Sequence, residues 1–286
     1  MSNVIIIGNG PAGVSASLYT ARAGIDTTII GSGYGALGKA EKIENYYGFA
    51  EPVDARTLVE NGVAQARHAG VKVIEDEVVG IGFGSKLTVA TKTRSLEADY
   101  VVLATGASRS TPRISGLKEL EGHGVSYCAV CDAFFYRGKD VAVLGSGDYA
   151  MHEAAELLPV VGSVTILTNG AELTAELPEG ARVDTRKIAE FAGDGVVERV
   201  VFEDGEALNI SGVFIAVGVA GSTDLAKKLG AATEGNRILV DEKMATNVPG
   251  LYAAGDCVGG MLQIAKAVHD GAQAGTSIVA EIRKKK

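Results

Sequence analysis

A strand, a glycine turn and a helix occur together twice in this chain, and that repeat constrains the fold more than any other feature. Val4-Ile-Ile-Ile7 is a continuous apolar run of the kind buried on both faces of a parallel sheet. Gly8-Asn-Gly10-Pro11-Ala12-Gly13 follows, then residues 14–23 at helical spacing, then a second strand over Thr27-Thr-Ile-Ile30. Asp140-Val-Ala-Val-Leu144, Gly145-Ser-Gly147-Asp-Tyr-Ala150 and a helix through Leu158 rebuild the pattern. Each has the form of a dinucleotide-binding βαβ unit. Its glycines permit a tight turn and let backbone approach a pyrophosphate seated on the helix N-terminus.

The sequence therefore predicts an α/β fold of two Rossmann-like, three-layer domains. Tyr100-Val-Val-Leu-Ala-Thr-Gly106 and Val213-Phe-Ile-Ala-Val-Gly218 read as strands closing the two units. After Pro249, Leu251-Tyr-Ala-Ala-Gly255-Asp256 reads as a short strand ending in Gly-Asp. A helix from Ile264 to Ile282 follows, with Ala265, Ala272 and Gly275 permitting close packing. The simplest organisation inserts one domain in another: residues 1–112 and 245–286 outside, 113–244 inside. Crossings near Pro112 and Met244-Ala-Thr-Asn-Val248 would then act as a hinge.

Cys128-Ala-Val-Cys131-Asp132 lies in the insert, just before the second unit. Two thiols at this spacing can close a disulfide ring and so hold and release two electrons. With 286 residues the chain suits two modest domains, each with its own core. A net charge of −8 argues against nucleic acid as a partner. No run of 18 apolar residues suggests a membrane span. The N-terminus enters a strand without a charged leader, so the expected location is cytoplasmic and reducing. Three cysteines there are not a disulfide scaffold, and C-x-x-C favours redox work or metal. A structural zinc takes four ligands, and the additions available are Cys257 and four scattered histidines, of which only His123 is near. No metal is expected, and Cys257 reads as a small packed hydrophobe.

Collinear motifs then carry a resemblance: Gly8-x-Gly10-Pro-Ala-Gly13, Ile43-Glu-Asn45-Tyr-Tyr-Gly-Phe49, Ala104-Thr-Gly-Ala-Ser108, Gly124-Val-Ser-Tyr-Cys128-Ala-Val-Cys131-Asp132-Ala-Phe-Phe-Tyr136, Val141-Ala-Val-Leu-Gly-Ser-Gly147 and Gly250-Leu-Tyr-Ala-Ala-Gly-Asp256. Over essentially its whole length the chain resembles the low-molecular-weight thioredoxin reductases. The resemblance implies FAD in the outer domain, a homodimer, and a cysteine pair that passes electrons to thioredoxin. It places Gly8, Gly10, Pro11, Ala12 and Gly13 at the pyrophosphate, and Gly31, Asn45, Val78, Ala104, Thr105 and Gly106 along the cofactor. Gly255 and Asp256 would meet the ribityl chain, and Gln263, Ile264 and Ala265 the isoalloxazine side. Cys131 would be the flavin-side thiol, Cys128 the one that attacks the partner, and Asp132 the acid–base group. A helix cap for the Phe134 segment is an alternative use of Asp132. The adenosine ribose partner is unassigned, because the second strand ends in Gly31-Ser-Gly33 and the nearest acid, Asp26, precedes it.

The second unit departs from the family pattern. Members that use NADPH hold its 2′-phosphate with basic residues after the second strand. From Asp140 to Ala181 this chain has no Lys or Arg, while Asp140, Asp148, Glu153, Glu156, Glu172, Glu176 and Glu179 supply seven acids. NADPH is therefore not expected. Asn169 or Glu172 would keep NAD possible at the ribose. Tyr149 in the turn and Val219-Ala-Gly-Ser222 in place of the nicotinamide-side motif weigh against it. Gln263-Ile264-Ala265 also stands where many relatives have Arg-Gln-Ala. The chain is thus most similar to the ferredoxin-dependent flavin thioredoxin reductases, which implies reduced ferredoxin as donor. The alternatives are an FAD-dependent dithiol oxidase using oxygen, an NADH-dependent reductase, and a non-catalytic redox sensor. Arg22, Lys39, Lys42, Arg109, Arg113 and the tail 283–286 are candidate ferredoxin contacts.

Overall fold

The computed structural model describes residues 2–106, 112–218 and 220–285. Ser108, Arg109, Val219 and Lys286, named above, lie outside the described residues. Two compact units are present: Met1–Arg109 with Gly221–Lys286, and Ser110–Ala220. In chain order the first begins with β1 (Asn3–Ile7), α1 (Pro11–Arg22), β2 (Asp26–Ile30), α2 (Ala55–His68) and β3 (Lys72–Ile74). It continues with β4 (Val78–Phe83), β5 (Leu87–Thr91), β6 (Ser95–Ala98) and β7 (Tyr100–Leu103). The second unit holds β8 (Val125–Ser126), α3 (Ala129–Asp132), β9 (Asp140–Leu144), α4 (Asp148–Leu157), β10 (Ser163–Leu167) and β11 (Arg182–Asp184). It ends with β12 (Ile188–Ala192), β13 (Arg199–Phe202), β14 (Ala207–Asn209) and β15 (Gly212–Ile215). The chain then returns through α5 (Ser222–Lys228), β16 (Leu251–Ala253) and α6 (Ile264–Lys284).

The main sheet of the first unit has the order β16-β7-β1-β2-β3, every pair parallel. Val4–Ile7 and Val101–Leu103 are buried, as strands covered on both faces require. Strand order reverses between β1 and β7, and there the backbone is so tight that a Cβ on Gly8 would stand 2.2 Å from Ala104 O. Helices α1 and α6 touch backbone to backbone. A Cβ on Gly271 would meet Ala12 O at 2.0 Å, and one on Gly275 would meet Ala16 O at 2.6 Å. Gly271 and Gly275 therefore make the close approach, whereas Ala265, one of the small residues picked out by sequence, is exposed. Strands β4, β5 and β6 form a separate antiparallel sheet.

The second unit repeats the parallel plan, with order β8-β15-β9-β10-β11. Its reversal point has the same tightness, with a Cβ on Gly145 falling 2.2 Å from Ala216 O. An antiparallel sheet of β12, β13 and β14 contributes Phe191, Val200 and Phe202 to the core, which also holds Leu144 and Ile215. Residues 221–244 cluster with the first unit, although the sequence reading placed them in the insert. The reason lies at both ends of the segment: Ser222 Oγ meets Thr105 Oγ1 at 2.6 Å, and Met244 packs against the apolar core built from Val4, Ile6 and Val102. The second crossing thus falls at Ala220–Gly221 and not near 244.

Candidate redox and cofactor sites

Cys128 and Cys131 form a disulfide across the first turn of α3. Cys128 caps that helix, and its Sγ accepts the Cys131 N–H at 3.2 Å. Ser126 organises the approach. Its Oγ accepts the Cys128 N–H at 3.1 Å and donates to Asp132 Oδ2 at 2.6 Å. Asp132 heads the short turn Ala133–Tyr136 but makes no side-chain cap there, so its carboxylate serves Ser126 instead. From α4, the buried Glu153 accepts the Ala129 N–H at 3.0 Å. Cys128 is 4% exposed, whereas Cys131 is open to solvent. The end of the motif is anchored by Tyr136. Its ring fills the space a Gly212 side chain would need and stacks edge-on against Phe214 at 5.4 Å. Burial, and after it the charge of Asp132, raises the Tyr136 hydroxyl above its usual range. Val130, Phe134 and Phe135 stand 55%, 68% and 69% exposed, an apolar cluster around the disulfide.

The first glycine turn has the shape a pyrophosphate needs. A Cβ on Gly13 would collide with Gly8 O at 1.9 Å, so the turn closes only with glycine. Gly10, by contrast, has nothing within 4 Å of its missing Cβ. It caps α1 without a side-chain bond, Pro11 stands at the helix start, and the first turn holds no acid. The α1 N-terminus thus presents backbone donors and no competing anion. Gly31 packs on Asn9, where a Cβ would lie 2.9 Å from Asn9 N. A cavity of about 400 Å³ reaches the turn at one end, lined there by Asn9, Gly10, Pro11 and Ile264, and runs on between α1 and α2.

The other expected cofactor residues divide. Asn45 Nδ2 donates to Gln263 Oε1 at 2.9 Å, which joins two of them across 218 residues. Ala104 is the carbonyl against Gly8, and Thr105 binds Ser222, whose Oγ accepts the Thr105 N–H at 3.1 Å and meets Thr105 Oγ1 at 2.6 Å. Ser222, expected from the sequence to belong to the insert, lies fully buried behind Thr105. Gly106 has a positive φ of 79° at the strand exit. Gly255 and Asp256 open a short turn that Lys266 holds, its Nζ donating to Gly255 O at 2.9 Å and to Gly259 O while pairing with Asp270 at 2.7 Å. Asp270 in turn accepts the Gly255 N–H at 3.1 Å. Ile264 and Ala265 form the first turn of α6. Val78 starts β4, in the separate antiparallel sheet. The turn's open Gly10, its uncapped helix and the Asn45–Gln263 pair are a donor set that fits FAD.

The second glycine turn is folded over by its own chain. Thr174 donates both its N–H, at 2.9 Å, and its hydroxyl, at 3.1 Å, to Ser146 O. Asn169, with a φ of 51°, accepts the Ile188 N–H on its Oδ1 at 2.8 Å and so is committed to the backbone of β12. Tyr149 is buried at 1% exposure, and Asp148 places an acid in the first turn of α4. Glu172 is exposed. One cation approaches this end of the sheet from beyond the stretch read by sequence: the stem of Lys187 lies across Gly170, 2.9 Å from where a Cβ would be. Arg186 is already bound to Asp184 at 2.7 Å and stacked on Phe202 at 3.8 Å.

Cys257 is fully buried and donates its S–H to Ala254 O at 3.3 Å and Leu103 O at 3.4 Å; burial pushes its thiol up to about 11. Among the described residues no group of His, Cys, Asp and Glu is arranged to hold a metal, and no helix is long and apolar enough to cross a membrane.

Comparison with known proteins places these sites in context. Residues 2–271 match the Pyridine nucleotide-disulphide oxidoreductase family. A thioredoxin reductase of Aquifex aeolicus is 35% identical over 273 residues, 89% of this chain and 84% of that protein. The crystal structure of the atypical thioredoxin reductase TRi from Desulfovibrio vulgaris Hildenborough is 41% identical, with a TM-score of 0.93 and 99% of both chains covered. A ferredoxin-flavin thioredoxin reductase from Clostridium acetobutylicum is 31% identical, with a TM-score of 0.73 over 99% of this chain and 98% of that one.

Proposed function

Because the chain belongs to the low-molecular-weight thioredoxin reductases, within the pyridine nucleotide-disulphide oxidoreductases, we propose that it reduces thioredoxin with electrons from reduced ferredoxin. The family implies FAD, which when bound supplies the two electrons that open Cys128–Cys131. Gly8 to Gly13, Thr105, Asp256, the Asn45–Gln263 pair and the first turn of α6 would hold it.

The residues of the second unit then carry the exchange. The Cys128 thiolate attacks one sulfur of the thioredoxin disulfide, forms a mixed disulfide and releases the other thioredoxin sulfur. Cys131 next attacks Cys128 Sγ, which restores the internal disulfide and frees the second sulfur. Two electrons leave the pair, and thioredoxin gains two electrons and two protons. Asp132, held beside Cys131 by Ser126, takes the proton the Cys131 thiol must lose before it can attack. Cys128 must be uncovered for the first step, since it is 4% exposed here. Val130, Phe134 and Phe135 suit a protein disulfide with an apolar rim better than a small dithiol, which favours thioredoxin reduction over dithiol oxidation.

The donor assignment is carried by the second glycine turn, where Thr174 occupies Ser146 and Asn169 is committed to β12. Lys187 reaches that strand end while Arg186 beside it is bound to Asp184, and one ammonium is a weak grip for a phosphate of about two charges. Anaerobic titration of the FAD-loaded protein tests the donor. Reduced ferredoxin, two per disulfide, is expected to bleach the flavin and generate dithiol thioredoxin, while NADPH and NADH leave the spectrum unchanged. Rapid bleaching by either nicotinamide overturns the ferredoxin reading. Homodimer formation belongs to the same proposal and is read by sedimentation equilibrium.

A further inference from the structure

Two carboxyl side chains are buried among the described residues, Asp270 and Glu153. Asp270 is matched to Lys266 at 2.7 Å, and that pair belongs to the turn at Gly255 and Asp256. Glu153 sits elsewhere. It is 1% exposed on α4, and its Oε2 takes the backbone N–H of Ala129, the residue that follows Cys128. Nothing in the exchange described above uses it.

We propose that Glu153 is a positioning residue for the redox pair, and that its carboxylate makes Cys128 and Cys131 a stronger reductant. The position follows from the hydrogen bond: Glu153 fixes the peptide that leads from Cys128 into α3, and with it the direction of the Cys128 side chain. The effect on potential follows from charge. Reduction of the disulfide adds two electrons and two protons and yields thiols, one of which must ionise to attack thioredoxin. A negative charge one residue from Cys128, on a side chain only 1% exposed, disfavours the thiolate. The disulfide carries no charge and is untouched. Where one of the thiols is ionised, the reduced form is therefore raised relative to the oxidised form, and the pair gives up its electrons more readily. Asp132 and Tyr136 also adjoin the pair, but Asp132 is half-buried and in contact with solvent, so its field is screened more than that of Glu153.

The inference rests on Cys128 and Cys131 being the working pair, and it is independent of the donor. It is tested on the FAD-loaded protein equilibrated in oxidised and reduced dithiothreitol at about pH 9, where a thiol of ordinary pKa is ionised, the free thiols being counted by alkylation, with neither ferredoxin nor thioredoxin present. A failed ferredoxin assay therefore leaves the result readable. Glu153→Gln is expected to shift the dithiol–disulfide equilibrium about tenfold towards dithiol, about 30 mV less negative. Glu153→Asp retains the charge and is expected within about twofold of the wild type. Glu156→Gln removes an exposed acid from the same helix and is expected to change nothing. Should the amide variant not fold, Glu153→Met removes the charge at nearly the same volume and is expected to shift the same way. An unchanged equilibrium in Glu153→Gln, an equal shift in Glu153→Asp, or an equal shift in Glu156→Gln overturns the proposal.

Discussion

The two glycine turns share a backbone and differ in what surrounds it. At both, the first glycine is pressed against a carbonyl from the neighbouring strand, Gly8 on Ala104 and Gly145 on Ala216, each with 2.2 Å to a would-be Cβ. The first turn then opens onto Gly10, with Pro11 at the helix start and no acid in the first turn. The second is crossed by Thr174, followed by Asp148, and flanked by an asparagine already bonded to β12. The fold of a dinucleotide turn and the groups that surround its helix end are thus set separately. The first comes from strand order and the second from a handful of side chains around the helix end.

The largest test of this division concerns the pair that the second unit retains. Cys131→Ser should cut thioredoxin turnover more than about a thousandfold, because a hydroxyl cannot resolve the mixed disulfide. A non-reducing gel should then show a trapped adduct through Cys128; turnover that survives would mean the pair is not the relay. Next in size are matched alanines. Gly10→Ala puts a methyl group where the cofactor phosphate belongs and should weaken FAD binding about tenfold. Gly147→Ala meets Thr174 Oγ1 at 3.6 Å, an ordinary contact, and should leave FAD affinity and turnover within about twofold. Flavin fluorescence measures both, and equal losses would erase the contrast between the turns.

The smallest effect lies at Cys257. Burial favours its neutral thiol and pushes the pKa up to about 11 from an ordinary 9.0. The unfolded chain therefore ionises first, so stability is unaffected below about pH 9 and falls as pH rises from there through about 11. In native reduced protein at pH 8, a thiol reagent should label the exposed Cys131 first but reach Cys257 only after denaturation. Equal labelling of all three would show that the site opens.

Short-range patterns made the parallel strands and both turns legible. Val4–Ile7 and Asp140–Leu144 are apolar runs that a sheet covered on both faces demands, and the glycines follow at fixed spacing. The cysteine pair and Asp132 were legible for the same reason, as neighbours in one segment. What stayed hidden depends on topology. Asn45 meets Gln263 across 218 residues, and Ser222 returns to Thr105 across 117. Lys187 reaches Gly170 because β11 lies parallel to β10 and brings its far end alongside, beyond the cation-free stretch from Asp140 to Ala181. The carboxyl of Glu153 counted in the sequence only as one acid among seven; in the fold it lies under the peptide after Cys128. The return at Gly221 was equally unmarked, since α5 has nothing in its composition that assigns it to either unit.

The contact between Gly145 and Ala216 has a consequence for how such sequences drift. A methyl group there would strike main chain, which no neighbouring rotamer can vacate, so selection for a folded sheet is enough to keep that glycine with or without a ligand. The presence of such a glycine in a genome accordingly reports on masonry before it reports on metabolism.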